Sequence, residues 1–352
     1  MPSVRSPVTD TVSDTETAPS APTGPTGPTP ARTSIVGKRR VGDSVFLGLS
    51  TTAAVSIMII LAGVAIFLIL RGLPAITANW SEGDLAGYQN GQWSNFWEYV
   101  GPLLFGSVWA ALIAMIIGTP VAIGIALFIS HYAPRRIAGA LGYVVDLLAA
   151  VPSIVFGLWG IIVMRPLLLP VGEFLNQYLG WIPLFQGPVS STGSTMLTGG
   201  VVLAVMILPI VTSITREIFL QTPRLHEEAA LALGATRWEM IRLSVFPYAR
   251  SGMVSATLLG LGRALGETMA IALIISPSLI YSVLLLTDGY NSQTIAANIA
   301  LNFPIATDLQ RSALIGTGLM LFVISLAVNM FARYIIGATG PGAKGRKKGK
   351  RS

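Results

Sequence analysis

Residues Val45–Leu70 form one uninterrupted apolar stretch, VFLGLSTTAAVSIMIILAGVAIFLIL, and none of its side chains is charged. A helix needs about 20 predominantly apolar residues to cross the hydrocarbon core of a bilayer, and this stretch is longer than that. It therefore predicts a helix that spans a membrane.

Five further apolar stretches follow along the chain. They are Pro102–Ser130, Gly139–Val163, Met196–Ile214, Gly252–Ile275 and Ser312–Ile336. Together with the first stretch they predict an all-α membrane protein with six transmembrane helices, in a domain over residues 44–338. A shorter apolar segment, Ser276–Leu286, contains Pro277 and is too short to span a bilayer, so we expect a re-entrant or interfacial piece there.

The composition agrees with this class of protein and excludes others. Hydrophobic residues make up 52% of the 352 residues and charged residues 11%, and the mean hydropathy is +0.68. An ordinary soluble domain carries about 25% charged residues, so a soluble enzyme, a disordered chain and a coiled coil are excluded. The chain has no cysteine, and its two histidines, His131 and His226, are far apart, so we expect no metal centre and no cofactor.

The distribution of charge predicts the orientation of the chain. Residues 1–43 are rich in proline, threonine, serine and glycine, which is typical of a disordered tail, and residues 339–352 form a second, basic tail. If the N-terminus is cytoplasmic, all but four of the 23 lysines and arginines lie on the cytoplasmic side. The exceptions are Arg71, Arg165, Arg263 and Arg311. The positive-inside rule therefore predicts that both termini are cytoplasmic.

Aromatic side chains are frequent in the three long outer segments, about residues 71–101, 164–195 and 276–311. They include Trp80, Trp93, Trp97, Tyr99, Trp181 and Tyr290. Aromatic residues next to the ends of spans usually belong to the interfacial belt. We expect that role here, with stacking on a ligand as the alternative.

The second cytoplasmic loop, residues 216–250, is predicted to form two short helices joined at a glycine. Thr222 followed by Pro223 is typical of an N-cap and a proline at the first helical position. Gly234 is typical of the residue that follows a helix C-terminus.

The second of these helices has its own start and stop signals. Thr236 and Glu239 have the spacing of a capping box, and Pro247 is expected to end the helix. The two helices would form a rigid elbow, a shape suited to being pushed by another protein. An ordinary amphipathic interfacial elbow is the alternative.

Two charged residues, Arg263 and Glu267, stand four residues apart inside the fifth predicted span. On a continuous helix they share one face, so Glu267 would hold Arg263 when no anion is present. An arginine at mid-membrane costs at least about 2.5–3.5 kcal/mol, and its planar donors suit a tetrahedral oxyanion. Gly262 and Gly266 predict the close approach of a neighbouring helix. The alternative is a buried ion pair that only fixes the helix register.

Asp146 is the remaining charge in a predicted span, near the cytoplasmic end of the third. We expect a neutral or water-facing carboxylate there, and a role in a pathway is the alternative. Pro152 and Gly157 would loosen this helix.

The loop and the fifth span each carry a motif that resembles bacterial ABC importer permeases. Residues Glu228, Ala229 and Ala230, followed by Gly234 and by Pro247, are similar to the EAA loop of that family. The resemblance implies that these residues form a coupling helix that docks on an ATP-hydrolysing subunit.

A second resemblance is narrower. Residues 262–270, GRALGETMA, closely resemble PstC-type permeases of the phosphate-specific ABC importer, and residues 118–124 and 151–160 agree with them. It implies a type I ABC importer permease fold in the bacterial inner membrane, with Arg263 and Glu267 as charges of the pathway for inorganic phosphate. It also implies three partners: a homologous PstA-like permease, a dimer of ATP-binding subunits and an extracytoplasmic phosphate-binding protein.

Other functions stay open at this point. The cargo of the importer could be sulfate, molybdate or a phosphonate, or the chain could be a membrane-embedded enzyme that handles lipid phosphate, or a phosphate sensor. No GxxxxGK[ST] motif is present, so we expect ATP hydrolysis on the partner and no enzyme activity in this chain. The basic tail, Lys344–Arg351, is expected to face anionic membrane lipid and not nucleic acid.

Overall fold

The computed structural model describes residues 41–91 and 93–339. The two predicted tails lie outside these residues, except for a few positions next to the helices. The chain divides into two compact units at Ile57. The described part of the first unit is the start of a helix whose large apolar side chains are exposed, among them Val45, Phe46 and Leu49. Such exposure suits a helix that has lipid as its solvent.

Helices make up most of the described chain. The long helices and their continuations are α1 Val41–Thr77, α2 Phe96–Leu127, α3 Arg135–Ala149, α4 Ser153–Trp159, α5 Arg165–Leu179 and α6 Met196–Leu220. The others are α7 Arg224–Ala232, α8 Arg237–Met240, α9 Phe246–Leu265, α10 Met269–Ile274, α11 Ile295–Asn302 and α12 Asp308–Thr339. π-turns at Phe128–Tyr132, Gly160–Met164 and Ile241–Val245 continue α2, join α4 to α5 and join α8 to α9. Short 3₁₀ turns lie at Gly83–Leu85, Tyr88–Asn90 and Pro183–Phe185, and strand β1 Pro277–Ser278 pairs in parallel with β2 Asn291–Ser292.

Five helical segments of the described chain are long and apolar enough to cross a membrane. They are Val45–Thr77, Phe96–Tyr132, Ser153–Leu179, Met196–Leu220 and Asp308–Tyr334. The all-helical prediction is confirmed, whereas the count of six uninterrupted spans is not.

The third predicted span, Gly139–Val163, is wrong in its position. The helix breaks between Ala149 and Ser153, because Pro152 lacks an N–H and disfavours a helical conformation of the residue before it. The long apolar helix starts at Ser153 and runs to Leu179. The sequence places Arg165 in an outer loop, whereas the structure places it inside a helical segment.

The fifth predicted span, Gly252–Ile275, is two helices. Helix α9 ends at Leu265 with Gly266 as its C-cap, and α10 is only six residues long. The segment after α10 forms no helix until Ile295. The short apolar segment Ser276–Leu286 is therefore irregular chain that includes β1, and it forms no spanning helix.

Small residues allow the central helices to pack closely. Helix α6 is the most buried of the five spanning segments, and a Cβ on its Gly200 would overlap Ile113 of α2. Gly260 of α9 lies against Val211 of α6 in the same way. Close approach at small residues is how helices gain van der Waals contact in a lipid environment, and here it fixes α2, α6 and α9 as the core.

The aromatic residues near the outer ends of the spans differ in burial. Trp93 is half-buried, and its ring centroid lies 5.9 Å from that of Tyr99. Trp80 and Tyr99 are buried, with ring centroids 5.2 Å apart, so the prediction of an interfacial belt is wrong for them. Trp97, Trp181 and Tyr290 are exposed, as residues of such a belt would be.

Candidate translocation and coupling sites

A cleft of about 890 Å³ lies between α9 and α12, and Arg263 lines it. Arg263 stands in the last turn of α9 and is half-buried. Ser255 and Gly262 of the same helix, and Asn329 and Arg333 of α12, line the cleft as well. Two guanidinium groups with an amide and a hydroxyl can bind an oxyanion through charge-assisted hydrogen bonds.

Glu267 does not share a helix face with Arg263, so that part of the prediction is wrong. The helix ends at Leu265, and the side chain of Glu267 is 93% buried. Its Oε1 accepts a hydrogen bond from the backbone N–H of Ala270, 3.1 Å away, in the first turn of α10. Glu267 therefore caps the next helix.

Arg263 has no carboxylate partner among the residues that the structure describes. In that part of the chain, oppositely charged side chains approach within 4 Å at His131–Glu227 and at Arg311–Asp308. The ion pair with Glu267 is therefore not made within the described chain.

Glycines near Arg263 have a different role from the predicted one. A Cβ on Gly262 would meet no described atom within 4 Å, because this residue faces the cleft. The predicted close approach of a neighbouring helix at Gly262 and Gly266 is therefore not made within the described chain, and Gly260 makes such a contact instead.

The predicted elbow is present in the second loop. Helix α7 ends before Gly234, whose φ of +86° is the left-handed conformation expected after a helix C-terminus. The capping box at Thr236 is also confirmed. The backbone N–H of Thr236 donates to Glu239 Oε2 over 2.8 Å, and the backbone N–H of Glu239 donates to Thr236 Oγ1 over 3.3 Å. The hydrogen bond from the Thr236 backbone, helped by the one from its hydroxyl, lowers the pKa of Glu239.

Two expectations for the elbow are wrong. The N-cap position of α7 is Pro223, and Thr222 makes no capping hydrogen bond. Pro247 does not end the second helix, because a π-turn leads from α8 into α9 and Pro247 lies in the first turn of α9. Proline is tolerated there since the first N–H groups of a helix have no partner within the helix.

The elbow presents an uncovered surface in the described chain. Glu228 and Ala229 are exposed and Ala230 is half-buried. Leu225 and Leu233 are 74% and 90% exposed, respectively. Both leucines stand close to charged residues of the elbow, Leu225 next to Arg224 and Leu233 four residues before Arg237.

Comparison with known proteins identifies the chain. Residues 118–339 match the family described as the binding-protein-dependent transport system inner membrane component. The chain belongs to this family. The long apolar helices agree with a permease in the inner membrane.

Three relatives of this permease cover most of its length. The phosphate transport system permease protein PstC 2 of Mycobacterium tuberculosis is 45% identical over 302 residues, which are 85% of this chain and 93% of the relative. PstC of Mycobacterium leprae is 44% identical over 282 residues (78% and 86%), and PstC of Xylella fastidiosa strain Temecula1 is 40% identical over 318 residues (87% and 95%). A solved chain of the MetNI methionine ABC transporter, in an inward-facing conformation, aligns with a TM-score of 0.45 and 17% identity, covering 70% of this permease and 94% of that chain.

Arg165 is a residue of the permease whose role the sequence analysis missed. Its Nη2 donates hydrogen bonds to the backbone oxygens of Leu273 (3.0 Å) and Ile274 at the end of α10. The Ser194 hydroxyl donates to the same Ile274 oxygen over 2.9 Å. Arg165 thus holds the end of α10, the short helix that follows Arg263. The sequence signal for such a role is a single arginine within an apolar stretch.

Asp146 has a local partner in the permease. It is exposed, and its Oδ1 accepts a hydrogen bond of 2.7 Å from the Ser213 hydroxyl of α6. That this carboxylate is neutral or faces water stays a prediction. Because Ser213 lies on α6, the contact joins α3 to the core of the permease.

Proposed function

We propose that this permease is the transmembrane subunit of an ATP-driven importer of inorganic phosphate. The observation that carries the proposal is its identity of 45% to a protein named as a phosphate transport permease, over nearly the whole of that relative. The cleft beside Arg263 supports it, because it offers cationic groups without a carboxylate among its lining residues.

In this proposal Arg263 is the group that contacts phosphate. Its planar donors can engage two oxygens of the anion at once. Glu267 is the second pathway residue and acts by positioning Arg263. Its hydrogen bond to the first turn of α10 holds the turn that directly follows Arg263.

The elbow is proposed to couple the pathway to ATP hydrolysis. Glu228, Ala229, Ala230 and Gly234 would contact a dimer of ATP-binding subunits, and Pro247 would set the direction of α9 that leads back to Arg263. The exposure of Leu233, Glu228 and Ala229 supports this docking surface. ATP hydrolysis would take place on those subunits, and this chain would have no enzyme activity.

The remaining partners and the orientation complete the proposal. A homologous PstA-like permease would face the cleft, and an extracytoplasmic phosphate-binding protein would deliver the cargo. Both termini would be cytoplasmic, as the distribution of basic residues favours.

The test is the uptake of labelled phosphate by cells that lack this chain and receive either the wild type or Arg263→Gln. The variant should lower uptake at least about tenfold, because a hydrogen bond to a charged group is worth about 1.5–3 kcal/mol. Arg311→Gln is the matched control, since Arg311 is an exposed residue outside the cleft, and it should transport like the wild type.

The outcome separates the cargo from the residue. Equal uptake by wild type and Arg263→Gln would remove Arg263 from the pathway. Inhibition of phosphate uptake by excess sulfate or molybdate would contradict phosphate as the specific cargo.

A further inference from the structure

A second polar cavity, of about 430 Å³, lies at the base of the elbow. Its walls are the π-turn after α2, the start of α3, the end of α6 and the start of α7, and it is open on one side. Its polar lining includes His131, Arg135, Arg216, Thr222, Arg224 and Glu227. It shares no lining residue with the cleft beside Arg263.

The charge of this cavity is positive. Arg135, Arg216 and Arg224 supply three guanidinium groups, and Glu227 is the carboxylate among its lining residues. Glu227 Oε1 lies 3.6 Å from His131 Nε2. None of the three arginines is within 4 Å of a carboxylate in the part of the chain that the structure describes.

Thr222 is the observation that points to a ligand. Its side chain is 96% buried and lines the cavity, yet its hydroxyl has no hydrogen-bond partner among the residues that the structure describes. The sequence predicts this hydroxyl as the cap of α7, but it does not take that role. A buried hydroxyl without a partner is unfavourable, and an oxygen-bearing ligand in the cavity would supply the missing partner.

The surrounding chain is built to hold these groups in place. Gly142 of α3 is buried, and a Cβ there would overlap the guanidinium of Arg216, so the glycine makes room for it. His131 Nδ1 is 2.7 Å from the Ser130 hydroxyl. The first turn of α7, where Arg224 and Glu227 stand, also lines the cavity, and the N-terminal turn of a helix favours an anion.

We propose that this cavity binds a phosphate-type oxyanion and that inorganic phosphate bound there slows import. The inference rests on the proposed function. A ligand that contacts Arg216 on α6, Arg135 on α3 and Thr222 beside α7 would cross-link the elbow to the membrane helices. Because the elbow must move for coupling, a ligand that prefers the fixed arrangement shifts the equilibrium away from transport.

The test uses the complete importer in vesicles of phosphatidylcholine. ATP and varied amounts of inorganic phosphate are trapped on the ATPase side, and labelled phosphate with the binding protein is supplied outside. Wild-type uptake should fall as trapped phosphate rises. Arg216→Gln and Thr222→Val should each need about tenfold more trapped phosphate for the same inhibition, as expected for the loss of one hydrogen bond to an anion.

Two controls make the result specific. Arg237→Gln removes an exposed elbow arginine that does not line the cavity, and it should be inhibited like the wild type. Thr222→Val should not lower the thermal unfolding temperature, because the lost hydroxyl has no hydrogen-bond partner in the described chain and a buried hydroxyl without a partner is unfavourable.

Several results would overturn the inference. One is equal inhibition of wild type, Arg216→Gln and Thr222→Val. Another is inhibition of uptake by phosphatidylglycerol added to the vesicles and not by trapped phosphate. If Arg216→Gln abolishes that inhibition, the ligand is a lipid headgroup.

Equilibrium binding of labelled phosphate without ATP is measured on the same proteins. If the wild type imports no phosphate, the proposed function fails. The cavity is still supported if Arg216→Gln loses phosphate binding and Arg237→Gln keeps it, and it is contradicted if both variants bind equally.

Discussion

Glu267 is proposed to serve the phosphate pathway by positioning a turn, without touching the cargo. Its carboxylate accepts from the backbone N–H of Ala270 and is buried beside the turn after Arg263. We expect Glu267→Ala to destabilise the folded protein by about 1–2 kcal/mol, the usual cost of a lost helix cap. Glu267→Gln keeps an acceptor oxygen and should retain both stability and phosphate uptake. Thermal unfolding of the purified protein and uptake in cells measure the two effects, and loss of uptake in a stable Glu267→Gln would show that the charge itself is required.

The residue scale also shows what the sequence could and could not reveal. An arginine within an apolar stretch makes Arg263 a candidate site residue, because this signal needs only the local sequence. The partners of Arg165 could not be predicted, because the carbonyls of Leu273 and Ile274 come from a distant helix. The free hydroxyl of Thr222 was hidden for a similar reason, since its local pattern favours a cap.

At the scale of elements, the elbow depends on one backbone conformation. Gly234 has a φ of +86°, and a Cβ there would meet no described atom within 4 Å. The cost of Gly234→Ala therefore comes from the backbone alone, about 1–2 kcal/mol for a left-handed residue. We expect this variant to hydrolyse ATP in the assembled importer while importing less phosphate per ATP. Gly234→Asn is the matched control, because asparagine tolerates this conformation, and it should be coupled more tightly than the alanine variant. Equal coupling in both variants would contradict the role of the bend.

Sequence signals predict an element well where all the residues that form it are close together in the chain. The capping box at Thr236 needs only residues within one turn, and it is present. Hydropathy alone does not locate the break in the third predicted span, because the apolar composition continues across Pro152. The sequence predicts the fifth span as continuous because nothing in its apolar pattern shows that Glu267 bonds to the backbone N–H of Ala270 after α9 has ended at Leu265.

For the whole molecule, composition predicted the class of protein, and packing determined the site. A mean hydropathy of +0.68 and long apolar stretches are sufficient to predict a membrane protein. The cleft beside Arg263 includes Asn329 and Arg333 only because α12 lies next to α9. No pattern within α9 specifies that neighbour, so sequence reasoning identified one arginine of the cleft and missed the other.

The orientation of the whole chain can be tested directly because the sequence contains no cysteine. Trp181 and Leu233 are 76% and 90% exposed, and one spanning helix, α6, lies between them. We expect Leu233→Cys to react with a membrane-impermeant maleimide in inside-out vesicles and Trp181→Cys in right-side-out vesicles. The reason is that residues 216–250 contain five arginines, and the positive-inside rule places such a loop on the cytoplasmic side. The reversed pattern would place the elbow outside and contradict coupling to a cytoplasmic ATPase. Reaction of both cysteines from the same side would instead mean that α6 does not cross the membrane.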